Sequence, residues 1–207
     1  GTDGQEYAVG YEVLCVTKTL MTKEDIQNLK SLSKAENDDS DTYGGWFELG
    51  ADIDMDYEML PQITGNTSDP NKGFIGVIDG RGFAIKNVSV EDIAGASLFG
   101  TLGTSGQVKD LMVSGLKIPE NAESGLFNTV YGTVEGVLVS AEILGSTATN
   151  HVSPIADALY GTVKDSVVSI FVKYDIVGQV AFAAVTANDG AVVSHVLGLQ
   201  SKCTAVV

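Results

Sequence analysis

The 207-residue chain is 44% apolar, with 24 glycines and four prolines; it is long and apolar enough to bury a continuous core, which excludes a disordered chain. Twelve basic residues, 11 of them lysine, face 27 acids for a formal net charge of −15. That balance excludes a cationic nucleic-acid footprint and disfavours anionic membranes and acidic polymers as partners. There is also no run of 18 apolar residues, so membrane insertion is not expected.

In chain order, Cys15 comes first; its only companion, Cys203, lies near the other end. In an elongated repeat those ends are far apart, so two buried thiols are expected rather than an intrachain disulfide. Thr22 then precedes Lys23, Glu24 and Asp25, an N-cap with acids in the first turn, and Ile26, Leu29 and Leu32 follow at helical spacing. This predicts a helix over 23–34 that covers the first rung of a repeat domain. The charged, Gly-ended stretch 35–45 reads as a loop, and WFELGADIDM (46–55) as the strand that begins that domain. The expected organisation is therefore 1–45, an N-terminal strand and capping helix, and 46–207, the repeats, within one domain. A polar loop at 61–73 precedes the first full copy.

The repeat is carried by GRGFAIKNVSV (80–90), SGQVKDLMVSG (105–115), YGTVEGVLVSA (131–141), YGTVKDSVVSI (160–170) and DGAVVSHVLGL (189–199). Aligned, they give apolar ladders Val90, Val113, Val139, Val168, Leu197 and Ile85, Val108, Val134, Val163, Val192, with a further one at Val88, Leu111, Val137, Ser166, His195. An upstream strand adds Phe74, Leu98, Leu126, Ile155, Ala181 and Ile78, Leu102, Val130, Leu159, Val185. Recurring apolar positions separated by variable loops are what a solenoid needs to stack like on like. No copy contains a ten-residue stretch of 3.6 periodicity, whereas short alternating runs of Val, Ile and Leu suit strands. The fold class read from this is all-β: a right-handed parallel β-helix of about five to six rungs, the hand following from the general rule for parallel crossovers. Asn87, Asp110, Gly136, Asp165 and Ser194 share one position in the alignment and are read as a stack of bends, suiting residues that tolerate left-handed backbone. The final residues SKCTAVV show no helix to match the one near the N-terminus.

The order EDIQNLKSL, FELGADIDM, GFIGVIDGRGFAIKNVSV, SLFGTL and GLFNTV, over roughly residues 20–200, resembles the GLUG-repeat β-helix modules of bacterial surface and secreted proteins. The most specific part is Asp52-Ile53-Asp54 followed by Phe74-x-Gly76 and Asp79-Gly80-x-Gly82; later copies depart, with Asn128 in place of the second Gly and Pro154-Ile155-Ala156-Asp157 in the third. The resemblance implies an exterior location and a structural or binding task.

Each candidate site has a plainer reading beside it. Asp52, Asp54 and Asp56 alternate, but an EF-hand would need Gly and Glu where Tyr57 and Ile63 stand, so loop capping is preferred and no metal is expected. Asp79-Gly80-Arg81-Gly82 matches neither phosphate-loop spacing and reads as a tight turn. A uronate lyase needs cations, and the single Arg81 is committed to that turn. A glycosidase needs two carboxylates about 5–9.5 Å apart; Asp110 and Asp165, two rungs and thus about 10 Å apart by strand spacing, are the candidates, read first as turn residues. His151 is placed in a polar loop and His195 inside. Tyr131 and Tyr160 follow interior positions on consecutive rungs, so alternation points them outward as the candidate ligand-binding residues, with Phe99, Phe127 and Phe182 of the same parity. The sequence thus predicts a monomeric, non-catalytic extracellular or cell-surface module, without cofactor, for adhesion, recognition or spacing within a larger surface protein. Glycans or host proteins are the expected partners, met through loops 57–73, 117–125, 144–153 and 173–180; the alternative is a carbohydrate-active β-helix.

Overall fold

A computed structural model of the chain describes residues 15–34, 41–60, 62, 64–145, 151–173 and 180–202. The chain enters through β1 (Lys18–Leu20) and two short helices, α1 (Lys23–Gln27) and α2 (Leu29–Ser33). It then winds through about six turns of parallel strands. Turn one holds β2 (Thr42–Tyr43), β3 (Trp46–Leu49) and β4 (Ile53–Asp54); turn two β5 (Gly73–Phe74), β6 (Val77–Asp79) and β7 (Ala84–Lys86). Turn three holds β8 (Gly100–Leu102), β9 (Gln107–Lys109) and β10 (Met112–Ile118); turn four β11 (Phe127–Val130), β12 (Thr133–Glu135) and β13 (Leu138–Ile143). In turns five and six the second and third strands fuse, giving β14 (Ala156–Leu159) with β15 (Thr162–Val172), and β16 (Ala184–Ala187) with β17 (Val192–Lys202).

Each strand hydrogen-bonds its equivalent in the next turn, always in parallel, so the molecule is a β-solenoid. The first strands stack as β2-β5-β8-β11-β14-β16 and the second as β3-β6-β9-β12-β15, with β1 on β3. The third stack as β4-β7-β10-β13 and rejoin the second through β15. One core runs through all turns: Phe47, Ile78, Val108, Val134 and Val163 form one buried ladder, and Tyr43, Phe74, Leu102, Val130 and Leu159 another. Burying a Val or Leu contributes about 1.5–3 kcal/mol against about 1–2 kcal/mol per residue for backbone ordering. A single turn is therefore not self-sufficient, and each leans on its neighbours.

The ladders expected across turns three to five match this register. Those of turn two do not: Val108 pairs with Ile78 rather than Ile85, Val113 with Ile85 rather than Val90, and Leu102 with Phe74. Two similar alternating runs, FIGVID and FAIKNV, occupy successive sides of the same turn, and alignment by pattern exchanges them. In the last turn β17 slips by one, with Val163 on Val193, Ser166 on Val196 and Val168 on Gly198, and β16 slips by two, with Leu159 on Ala187 rather than Val185.

Bends at Asp110, Gly136 and Asp165 adopt φ of 49°, 63° and 51°, as their residue types allow. The one-residue slip puts His195 at the last such bend, at φ 52° and exposed, hydrogen-bonded through Nδ1 to Asp165 Oδ1 at 3.0 Å; Ser194, expected at the bend, pairs with Lys164 just before it. Asn87, at φ 53°, belongs to a second bend that stacks its side chain on Gly115. Asp79–Gly82 is a tight turn, with Arg81 and Gly82 at φ 51° and 78° and Phe83 N–H bonded to Gly80 O at 2.8 Å.

The expected helix over 23–34 is broken at Asn28, and the expected strand 46–55 is broken between Leu49 and Ile53, where the chain turns a corner. Thr22 accepts from Asp25 N–H while Asp25 accepts from Thr22 N–H, a capping box, and Ile26 and Leu29 join the core. Cys15, expected to be buried, is exposed, since it precedes β1 and no described turn packs beneath it; Cys203 lies outside the described residues.

Candidate functional site

Tyr131 and Tyr160 directly follow the buried Val130 and Leu159, so strand alternation sends both rings outward from adjacent turns. They stack on each other at 4.8 Å between centroids and 21° between planes, and Tyr160 stays 44% exposed. Tyr131 Oη donates to Ser68 O at 3.1 Å, which fixes the pair against the loop running from Thr64 to Asp69. Burial pushes the Tyr131 phenol above its usual pKa, with Tyr160 and Asp69 adding to it, so the hydroxyl remains a donor.

That loop is clamped onto the outside of β8. Thr64 Oγ1 accepts from Thr101 N–H at 2.8 Å, Thr67 N–H donates to Thr101 Oγ1 at 3.1 Å, and Asn66 Nδ2 donates to Gly95 O at 2.8 Å. Gly100 makes the approach feasible: it sits at φ 77°, and a Cβ there would meet Thr64 O at 2.1 Å. In the next turn Asn128 falls next to Phe127, where SLFGTL has Gly100, and it lines the opening beyond the loop. The result is a cleft of about 270 Å³ walled by Asn66, Thr67, Asn128, Thr129, Tyr131 and Tyr160, with no charged residue in its lining. Its size is close to the lower bound of about 300 Å³ for small-ligand pockets, and its amide and hydroxyl groups beside an aromatic pair suit a neutral, hydroxyl-rich molecule.

The other aromatics are not part of it. Phe99 and Phe127 were expected outside, yet both are fully buried and pack on each other at 5.4 Å. The chain bends at Leu98–Phe99 and again at Gly125–Leu126, and consecutive residues on the two sides of a bend both point inward, so alternation fails there. Phe182, also expected outside, packs against the core, its ring occupying the space that a side chain at Gly198 would need.

Asp110 and Asp165 do not form a pair around a cavity. A depression of about 230 Å³ beside the bends includes Asp110, Gly136 and Leu138 but not Asp165, whose carboxylate holds His195. The Asp52–Asp56 carboxylates are engaged as acceptors: Asp52 from Lys86 Nζ at 2.6 Å and Ala84 N–H at 2.9 Å, Asp54 from Asp56 N–H at 2.9 Å and Asn87 Nδ2 at 3.0 Å. Lys86 above all holds Asp52, and the Asp56 amide above all holds Asp54, below the usual carboxylate range. A recess of about 370 Å³ lies beside α2, between Leu32, Lys34, Gly44 and Ile75.

Of the four loops expected to carry recognition, 57–73 lies against the tyrosines; the cleft wall itself has no forecast in the sequence, where the replacement of Gly by Asn128 is the available signal.

No family model matches the chain, and no solved structure matches it significantly. It is similar to the halomucin of Haloquadratum walsbyi, 28% identical over 149 residues that cover 66% of this chain. The matched part spans about 2% of that protein's length.

Proposed function

We propose that the chain is a non-catalytic extracellular β-helix module that recognises neutral glycans at the Tyr131–Tyr160 cleft. The observation that carries the reading is the uncharged cleft itself: stacked phenol rings for the apolar face of a sugar, with Asn66, Asn128, Thr67 and Thr129 at hand for its hydroxyls. The net charge of −15 disfavours acidic glycans, and similarity to a protein named halomucin is consistent with an exterior location. The finer assignments belong to the same proposal: a right-handed coil, α1 and α2 as the N-terminal cap, and kinship with GLUG-repeat modules.

The test is retention of neutral and acidic oligosaccharides by the purified chain, with new reducing or unsaturated ends scored in the same samples. Binding of neutral glycans without products, weakened about tenfold by Tyr160→Ala, is the expected result; tenfold corresponds to about 1.4 kcal/mol, one stacking contact of this kind. Product formation would sink the non-catalytic reading and direct attention to Asp110 and Asp165. Failure to retain any glycan would leave a spacer role instead.

A further inference from the structure

Donors and acceptors are not evenly divided among the polar atoms of the Tyr131–Tyr160 cleft. Several of its oxygens are already engaged: Asn66 Oδ1 accepts from Gln62 Nε2 at 3.3 Å, Asn128 Oδ1 from Thr129 Oγ1 at 3.2 Å, Thr67 Oγ1 from Asp69 N–H at 3.1 Å and Ser68 O from Tyr131 Oη at 3.1 Å. Amide hydrogens are left over. Asn128 Nδ2 meets no acceptor among the described residues, and Asn66 Nδ2 gives one of its two hydrogens to Gly95 O at 2.8 Å. Both nitrogens border one gap: the place a Cβ would take on Gly95 lies 3.0 Å from Asn66 Nδ2 and 3.9 Å from Asn128 Nδ2. A small apolar floor adjoins them. Ala158, partly buried, stands opposite Thr129 in the neighbouring turn, one position along from Asn128, and Tyr160 follows two residues on with the same outward parity.

We propose, resting on the glycan reading of this cleft, that its ligand is a 2-acetamido sugar. The acetamido carbonyl accepts from the Asn128 and Asn66 amides, and its methyl lies on Ala158 at the edge of the Tyr160 ring. An unmodified hexose brings hydroxyls, each of which donates as readily as it accepts, and none of them matches the floor beside Ala158. The acetamido carbonyl is an acceptor only, which is what the leftover amide hydrogens call for. Thr129 Oγ1, a donor to Asn128, keeps its lone pairs for the acetamido N–H. With about 270 Å³ the cleft suits one such sugar residue rather than a run of them, and its uncharged lining offers no cation to an acidic sugar.

The test is titration of the complete chain, by calorimetry and saturation-transfer NMR, with matched oligosaccharides: N-acetylglucosamine against glucose in the same linkage, and N-acetylgalactosamine against galactose. Within at least one pair the acetamido member should bind about tenfold more tightly or better, as one amide hydrogen bond and one buried methyl together supply. Asn128→Asp, which keeps the shape and removes the donors, should bring the ratio within that pair down towards one. Ala158→Val, which fills the place of the methyl, should lower the same ratio from the other side of the site, in a chain that thermal unfolding shows to be intact. Equal binding within both pairs, or a preference that survives either substitution in a folded chain, would overturn the acetamido assignment and leave the neutral-glycan reading standing. Binding of no member of either pair would overturn both.

Discussion

Replacing Gly132 by alanine tests the rung spacing most directly. Gly76, Gly106, Gly132 and Gly161 each precede the second strand of their turn, forming a column along one corner. A Cβ on Gly132 would lie 2.1 Å from Gly106 O, and one on Gly161 2.1 Å from Gly132 O. These oxygens are main-chain atoms, and Gly106 O already accepts from Thr133 N–H at 3.0 Å, so no flexible side chain can give way. Relief requires the two turns to part by about 1 Å, which breaks one or two ladder bonds at about 1 kcal/mol each on top of an overpacking cost of about 1–3 kcal/mol. The expected destabilisation is about 3 kcal/mol, or a fall of about 6–12 °C in Tm for a domain of this size. Thermal and urea unfolding would measure it, with hydrogen exchange over 127–139 to report local opening, since solenoids need not unfold all at once. Gly65→Ala is the control, because nothing lies within 4 Å of its Cβ position. If Gly132→Ala matched Gly65→Ala in stability and exchange, the close contact between turns three and four would be refuted.

Phe127→Ala should cost about 3–5 kcal/mol as a cavity opens against Phe99, measurable by urea unfolding; a cost below about 1 kcal/mol would mean the ring lies outside the core. Asp25, bonded to Lys18 above all and to the Met21 and Thr22 amides, has its pKa lowered to about 2. A lowered folded-state value means that its stabilisation is complete above the unfolded pKa and lost as pH falls from about 4 towards 2. The Asp25→Asn variant should lack that component of the acid limb, which parallel pH titrations of stability would show. Burial raises the pKa of Asp157 despite His151 nearby, so its ionised form opposes folding. Asp157→Asn should therefore stabilise the protein near neutral pH and lose the advantage towards acid pH, where Asp157 is itself protonated; an unchanged or lowered Tm at pH 7 would contradict this.

Much of the solenoid was legible because interior positions repeat without interruption: Leu98, Leu126 and Ile155, or Val108, Val134 and Val163, are set by burial alone. Bends at Asp110, Gly136 and Asp165 were legible because left-handed backbone selects residue type. Pattern failed where two strands of one turn looked alike, as in turn two, and where a single residue before β17 moved His195 from an interior place to a bend. Of the site, outward alternation gave Tyr131 and Tyr160. The wall opposite them came from a 64–69 loop that crosses over Gly100, a long-range contact with no periodic trace.

Along the outer face of the second strands, Glu48, Asp79, Lys109, Glu135 and Lys164 occupy one row. From Asp79 onward the signs alternate, with Lys109 on Asp79 at 2.9 Å and Lys164 on Glu135 at 3.0 Å; where two acids follow one another, Arg81 reaches Glu48 at 3.1 Å. The row has a period of two turns, although the apolar ladders beneath it have a period of one. Copying a single turn would leave the interior content but set like charges side by side, at up to about 1 kcal/mol for each such pair. Lengthening such a rod is thus smoothest in steps of two turns, because only then does the added segment continue the alternation of charge.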